Sequence, residues 1–249
     1  MRRFFVRGQN LFPESNKAYI DGEDVHHISA VLRLKPGSGL ILLDGLGKEY
    51  QARIISITPE RVEVSLENTW EAAGEPPIEV NLVQGLPKGD KMELIIQKCT
   101  ELGVRNIFPV ETSRAVVKLN ENKKAQKLRR WQRVAQEAAK QCRRAVVPEI
   151  FLPCGFDEAL RRLGNDTFLL MPWEEEHTAG IKEVLSGTKP AGKITILIGP
   201  EGGWSKDEVQ KAKSIGAVTV HLGPRILRAE TAGMTALALV LYAWGDLGG

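Results

Sequence analysis

Residues 194–235 read ITILIGPEGGWSKDE, a short charged segment, and then VTVHLGPRILRAETAGMT. The apolar run over residues 194–198 is unbroken, which suits a strand covered on both faces, as in a parallel sheet. It runs into Gly199-Pro200-Glu201-Gly202-Gly203, where glycine and proline interrupt regular structure around one carboxylate. Ser205 with Glu208 three residues later is a capping-box pattern, so a helix is expected to start there and to stop at Gly216. Residues 218–222 alternate into a second strand that also ends at a glycine, Gly223. Two strands that each empty into glycine-shaped backbone predict a concave site above a parallel sheet.

The 249 residues are enough for two domains or one large α/β unit. Residues 1–70 read as a small β-rich domain. Its expected strands cover residues 4–6, 17–20, 40–43, 50–57 and 62–66, with turns at Pro36-Gly37 and Asp44-Gly45. Asp21 is expected to cap a short helix on which Val25, Ile28 and Leu32 share a face. Short strands with such turns suggest a small barrel. Residues 71–77, with one glycine and two prolines, form the expected linker.

The second domain, residues 78–249, opens with a strand over 78–83. Asp90 and Glu93 repeat the capping pattern ahead of Met92, Ile95, Cys99 and Leu102 at helical spacing, and Gly103 supplies a stop. A strand over 104–110 follows, and strand–helix–strand order argues for parallel pairing with right-handed crossovers. Further on come a helix over 157–163, a strand over 168–171, a sheet-end loop over 173–177 and an apolar closing helix over 230–242, whose cover is the sheet or a partner chain.

Net charge is only +3, so its distribution matters more than its size. Residues 118–144 carry ten Lys or Arg against two Glu, while Leu128, Trp131, Ala135, Ala138 and Cys142 mark an apolar helical face. A solvated helix face and a phosphate-contacting surface both fit such a segment. The three cysteines are widely spaced, which argues for a reducing compartment and against a disulfide framework or a metal site. The opening MRRFFVRG lacks a sustained apolar core, and no apolar stretch is long enough to span a membrane, so a cytoplasmic protein is expected.

There is no G-x-G-x-x-G and no P-loop pattern; His26-His27 reads as structural rather than metal-binding, and His177 and His221 lack partners at metal-ligand spacing. What remains is a glycine-shaped pocket with carboxylates and arginines. Glycine lets backbone N–H and C=O groups approach a ligand closely, enough to read an adenine edge or a ribose. Ion pairing of Arg225, Arg228, Glu201 and Glu230 across loops is the plainer alternative.

IGPEGGWS, LGPRILRAETA and WGDL resemble the signature of the bacterial small-subunit ribosomal RNA methyltransferases that modify uracil at N3, members of the SPOUT class of knotted methyltransferases. The likeness extends to MRRFFV, HHISAVLRLKPG, LPKGDKMELIIQKCTELGVRNIFPVETSRAVVK and WQRVAQEAAKQCRRAVVPEI, nearly the whole chain. Two residues depart from the pattern: Trp204, where phenylalanine is common, and Arg143, where glycine is expected after Gln141-Cys142.

The resemblance implies an α/β fold: an N-terminal PUA-like RNA-binding barrel and a C-terminal parallel-sheet domain with a deep trefoil knot, against the general rule. It implies a homodimer and S-adenosyl-L-methionine bound by three loops. Those loops correspond to Leu170, Met171, Pro172 and Trp173; to Ile198, Gly199, Pro200, Glu201, Gly202 and Gly203; and to Leu222, Gly223, Arg225, Ile226 and Leu227. The implied substrate is 16S ribosomal RNA within the small ribosomal subunit.

Uracil N3 carries a proton and is a poor nucleophile until it leaves, so the chemistry calls for a base or for cations at the developing anion. Glu230 is the candidate base, and Arg228 and Arg114 are candidates for anion stabilisation or for gripping phosphate. Arg2, Arg3, Lys88, Lys91, Arg129, Arg130, Arg133 and Arg144 are the candidate RNA-backbone contacts. A related knotted methyltransferase acting on another ribosomal or transfer RNA position is the alternative, as is a non-catalytic RNA-binding assembly protein.

Overall fold

The computed structural model describes residues 1–6, 8–115, 118–163, 166–188 and 192–248. The chain divides into two compact units, Met1–Glu75 with Ala139–Val147, and Pro76–Ala138 with Pro148–Gly249. Residues 139–147 thus belong with the first unit, although the sequence places them far inside the second domain.

In the first unit, β1 (Arg3–Phe5), β2 (Leu11–Phe12), β3 (Lys17–Asp21), β4 (Gly39–Leu43), β5 (Lys48–Ile57) and β6 (Arg61–Glu71) form one sheet in the order β1-β4-β5-β6-β3-β2. The β1–β4 pair is parallel and the rest are antiparallel. Alternation drives the packing: Leu40, Leu42, Ala52, Ile54, Val62 and Val64 are sealed into one cluster with Ile20 and Ile28. The expected helix after Asp21 is a single turn, α1 (Glu23–His26), extended by a π-type turn over His27–Val31. Asp21 does not cap it. That residue ends β3 and accepts a hydrogen bond from Asn10, while Gly22, at φ +70°, turns the chain into the helix.

The second unit contains β7 (Glu79–Gly85), α2 (Lys91–Leu102), β8 (Asn106–Glu111), α3 (Glu121–Cys142, whose last residues count with the first unit), β9 (Glu149–Ile150), β10 (Cys154–Gly155) and α4 (Phe156–Leu163). It continues with β11 (Phe168–Pro172), α5 (Ile181–Gly187), β12 (Lys193–Ile198), α6 (Lys206–Ser214), β13 (Val218–Val220) and α7 (Ala229–Trp244). The sheet runs β10-β8-β7-β12-β11-β13, with β9 also on β8, and every described pairing is parallel.

β12 lies between β7 and β11. On one face Leu82 and Ile198 lie under Gly233 of α7, which also packs on α2. On the other, Val83 and Leu197 join a cluster with Phe156 and Ala159 of α4 and Val209 and Ala212 of α6. Helices on both faces account for the unbroken apolar run in β12.

Ser205 caps α6 as its pattern predicts: its hydroxyl accepts from the Glu208 N–H, and the Glu208 carboxylate accepts from the Ser205 N–H. Asp90 does not cap α2. Its backbone sits at φ −97°, ψ 9° rather than in the extended region, and its side chain makes no cap bond. Glu93 turns instead to Arg130, with Nε 2.7 Å from Oε1. α5 carries no sequence signal, because its cap position is Gly180 and it runs for only seven residues. Among the described residues no helix is long and apolar enough to cross a membrane.

Candidate functional site

Because the strands are parallel, the carboxyl ends of β11, β12 and β13 emerge together. A cavity of about 890 Å³ opens there, walled by the segments that follow them, residues 172–177, 198–204 and 221–229, together with Ala232. It is the concave site expected from the two glycine-ended strands.

Close backbone packing shapes its walls. A side chain at Gly85, the last residue of β7, would strike the Gly199–Pro200 backbone, with Pro200 N 2.5 Å from the Cβ position. Gly203 has φ +69°, and a Cβ there would run into the Glu174 carboxylate. Gly223 has φ +116° with open space at its Cβ position, so backbone conformation rather than crowding calls for glycine. The Gly223 N–H donates to His221 Nδ1 at 3.2 Å, a local bond within the segment that leaves β13.

Two carboxylates of the wall are fixed by hydrogen bonds. Glu176 accepts from the Thr178 hydroxyl at 2.6 Å, the Thr219 hydroxyl at 2.7 Å, and the backbone N–H groups of Thr178 and Ala179. Those hydroxyls, Thr178 first, hold its carboxyl far below the usual carboxylate range. Glu201 accepts from the Lys88 N–H and the Lys91 ammonium, both at 3.1 Å. Burial pushes its carboxyl up, but its own backbone N–H, Lys91 and the Lys88 N–H outweigh burial and bring it below the ordinary value.

Lys91, named from the sequence only as a candidate RNA-backbone contact, has a second role in the structure. Its Nζ lies 3.1 Å from Glu201 and 3.3 Å from Glu230 Oε2, so it joins the glycine loop after β12 to the first turn of α7. The hydrogen bond to Glu201, and then the one to Glu230, raise its pKa despite burial. Nothing local signals this role, since Glu201 is 110 residues away in sequence.

Most of the anticipated cofactor residues line the cavity: Pro172 and Trp173; residues 198–203; Leu222, Gly223, Arg225, Ile226 and Leu227. Leu170 and Met171 do not. They are interior residues of β11 with no accessible surface, held between β12 and β13. Arg228 lines the cavity, exposed, at the N-cap position of α7. Glu230 is outside the lining, its carboxylate buried beside Lys91. Arg114 reaches the site indirectly, donating to the Gly202 carbonyl at 3.2 Å.

Of the basic residues, Arg129 and Arg133 are exposed on α3, whereas Arg130 is engaged with Glu93. Arg144 is buried against Glu75 in the first unit, a position unsuited to the backbone contact expected of it. Arg3 is paired there with Glu49. Lys88 keeps an exposed side chain while its N–H holds Glu201. Among the described residues, no cluster of His, Cys, Asp and Glu has the makings of a metal centre. Trp173 Nε1 and Trp204 Nε1 are buried donors, on residues of the cavity wall, that make no hydrogen bond.

A parallel α/β layer with a glycine-walled cavity over its strand carboxyl ends is the arrangement in which open α/β folds bind their ligands. Residues 74–241 match the family model described as RNA methyltransferase domain, and residues 20–67 match the RNA methyltransferase PUA domain. The chain belongs to this RNA methyltransferase family. It is 35% identical to the ribosomal RNA small subunit methyltransferase E of Bacillus subtilis, over 97% of this chain and 96% of that one. Among solved structures it is similar to the ribosomal RNA small subunit methyltransferase E of Neisseria gonorrhoeae bound to S-adenosyl methionine (TM-score 0.84, 33% identity, 99% of both chains). A second is a putative methyltransferase of Legionella pneumophila in complex with the same cofactor (TM-score 0.82, 31% identity, 99% of this chain and 100% of that one).

Proposed function

We propose that the protein transfers the methyl group of S-adenosylmethionine to N3 of a uracil in small-subunit (16S) ribosomal RNA. The observation that carries this reading is the cavity over β11, β12 and β13, whose glycine-containing walls fall within the RNA methyltransferase match. The residues present fit the cofactor. Gly199, Gly203 and Gly223 shape the cavity walls, and the open space at Gly223 leaves that backbone clear for an adenosyl moiety.

When bound, S-adenosylmethionine supplies a methyl group already activated on a sulfonium, so the protein's task is alignment. Arg228, on the cavity wall, is the cation suited to stabilising charge that develops on uracil O2 or O4 as the N3 proton leaves to water. Glu230 acts as a positioning residue: through Lys91 it ties the Glu201 loop to the start of α7. The base role given to Glu230 by the sequence suits its buried, paired carboxylate less well. N3 lies on the Watson–Crick edge, so the uracil must be unpaired or flipped. Arg2, Arg129 and Arg133, exposed, are the cations for the RNA backbone.

The reading includes a knotted chain path, a cytoplasmic site of action and a homodimer. The dimer is supported by Tyr242, 73% exposed on the apolar helix α7, and by Ile226, 89% exposed on the cavity loop. A second copy covering both completes the site. The test is transfer of labelled methyl to 16S ribosomal RNA from a strain lacking the modification, as free RNA, small subunit and whole ribosome. The nucleoside is then identified by mass spectrometry. N3-methyluridine is expected; a different methylated nucleoside replaces the assigned target, and no transfer to any of the three rejects the enzyme.

Arg228→Ala should lower the single-turnover rate by 10²-fold or more, on the order found for lost anion donors. Glu230→Gln should leave that rate within about tenfold while weakening cofactor binding. Equal loss of single-turnover rate in both variants would return the base role to Glu230.

A further inference from the structure

The first unit holds a cavity of its own, about 750 Å³, whose described lining contains Arg2, Arg3, His27, Lys140, Arg143 and Arg144 and no carboxylate. Three of these cations face acidic partners behind the wall. Arg3 forks onto Glu49, which is 2% exposed; Lys140 lies 3.4 Å from Asp24; Arg144 pairs with Glu75 at 2.7 Å. Arg2 and Arg143 are exposed and take part in none of the described ion pairs. The uncompensated charge of the cavity is therefore theirs.

Arg143 stands just past the end of α3, the position where helices commonly close on glycine, and its φ is +66°. An arginine is disfavoured in that left-handed conformation. The turn is nonetheless held: the Arg143 carbonyl accepts from Arg3 Nη1 at 3.4 Å, and Glu49, itself bonded by Trp70 Nε1, fixes that guanidinium. A cation near a helix C-terminus interacts well with the helix dipole, which accounts for Lys140. It does not require an arginine at the one backbone position where glycine is easier.

We propose that this cavity is a phosphate site for the RNA strand, separate from the methyl-transfer cavity, in which Arg143, with Arg2 beside it, supplies the attraction for a phosphodiester group. The identity of the anion rests on the RNA methyltransferase reading; the site rests on the strained arginine and the acid-free lining.

The experiment uses the full chain with Arg143→Gly and Arg143→Asn, both of which suit a left-handed backbone and drop the charge. Binding to unmodified 16S ribosomal RNA transcript is measured over a salt series at a temperature where all three proteins are folded. Alongside it are measured thermal unfolding and affinity for S-adenosylmethionine. Arg143→Gly is expected to melt no lower than wild type and to bind S-adenosylmethionine as wild type does. RNA affinity should fall several-fold at low salt in both variants, with the slope of log affinity against log salt shallower by about one. Inorganic phosphate should compete with RNA on wild type more strongly than on either variant. If either variant keeps wild-type RNA affinity and slope, the proposal is overturned. A lowered melting temperature in Arg143→Gly with RNA binding unchanged would leave Arg143 a helix-end charge. Failure of methyl transfer by wild type would count against the catalytic reading instead, because the binding and salt measurements do not pass through catalysis.

Discussion

Gly203 takes part in two constraints at once: a left-handed backbone and the Glu174 carboxylate at the place of its missing side chain. Gly203→Ala should cost about 1–3 kcal/mol of stability, and it should weaken S-adenosylmethionine binding by displacing a cavity wall. Denaturant unfolding and calorimetric titration measure the two effects, and retention of both wild-type values would show that the wall does not depend on this glycine. Glu176 makes a different prediction, through pH. Its folded pKa lies below the unfolded carboxylate value, chiefly because the Thr178 and Thr219 hydroxyls bond the ionised form. The unfolded chain therefore binds the proton more readily. The resulting stability is complete above an unfolded pKa of about 4.3 and is lost as pH falls below that toward the folded value. The stability gap between wild type and Glu176→Gln should be widest near neutrality and should narrow below about pH 4. A gap that stays constant in acid would remove the assignment. At this scale the sequence was most readable where a residue type is rare in a conformation. Arg143 stood out only as a departure from the family pattern, and its left-handed backbone came from the structure, whereas the glycines of the loops could be picked out by eye. Lys91 could not, because its meaning depends on two glutamates that only the folded chain brings near.

Two helices with the same apparent start signal behave differently. Ser205-x-x-Glu208 forms both reciprocal bonds, and Glu208 Oε1 accepts in addition from the Ser113 N–H at 2.8 Å, so the cap of α6 also anchors the loop after β8. Ser205→Ala should cost about 1 kcal/mol, the ordinary value of a cap. Glu208→Ala should cost more, because it also leaves the Ser113 N–H without its carboxylate. Equal losses in the two variants would mean that the Ser113 bond contributes nothing. Asp90-x-x-Glu93 shows the limit of the pattern. The residue types match, but capping needs an extended backbone at the cap position, and Asp90 does not have it. Element type, by contrast, was legible wherever burial was two-sided or alternating, as in β12, β5 and β6. α5 was not, because a short helix with two buried residues among its seven leaves almost no periodicity to read.

The division of the whole chain follows contacts that sequence order hides. α3 begins in the second unit, yet its last residues and the segment after it count with the first. The crossing between Ala138 and Ala139 lies inside one continuous helix with no glycine or proline to mark it, and only the return at Pro148 carries a breaker. Within the first unit the returning segment is well integrated. The Val146 N–H donates to Glu75 at 3.1 Å, the Val147 N–H donates to the Gly45 carbonyl, and Ala145 and Val146 are almost wholly buried. Arg144, 6% exposed, pairs with Glu75 by more than one nitrogen. A fragment ending at residue 75 would therefore keep its sheet but expose the apolar bed of Ala145 and Val146, and it would leave Glu75 without its described partners. We expect such a fragment to be markedly less stable in urea than the same fragment carrying residues 139–147 on a flexible linker, with the difference largely lost on Arg144→Ala. Equal midpoints for the two fragments would mean that residues 1–75 are sufficient on their own and that the returning segment merely rests on them.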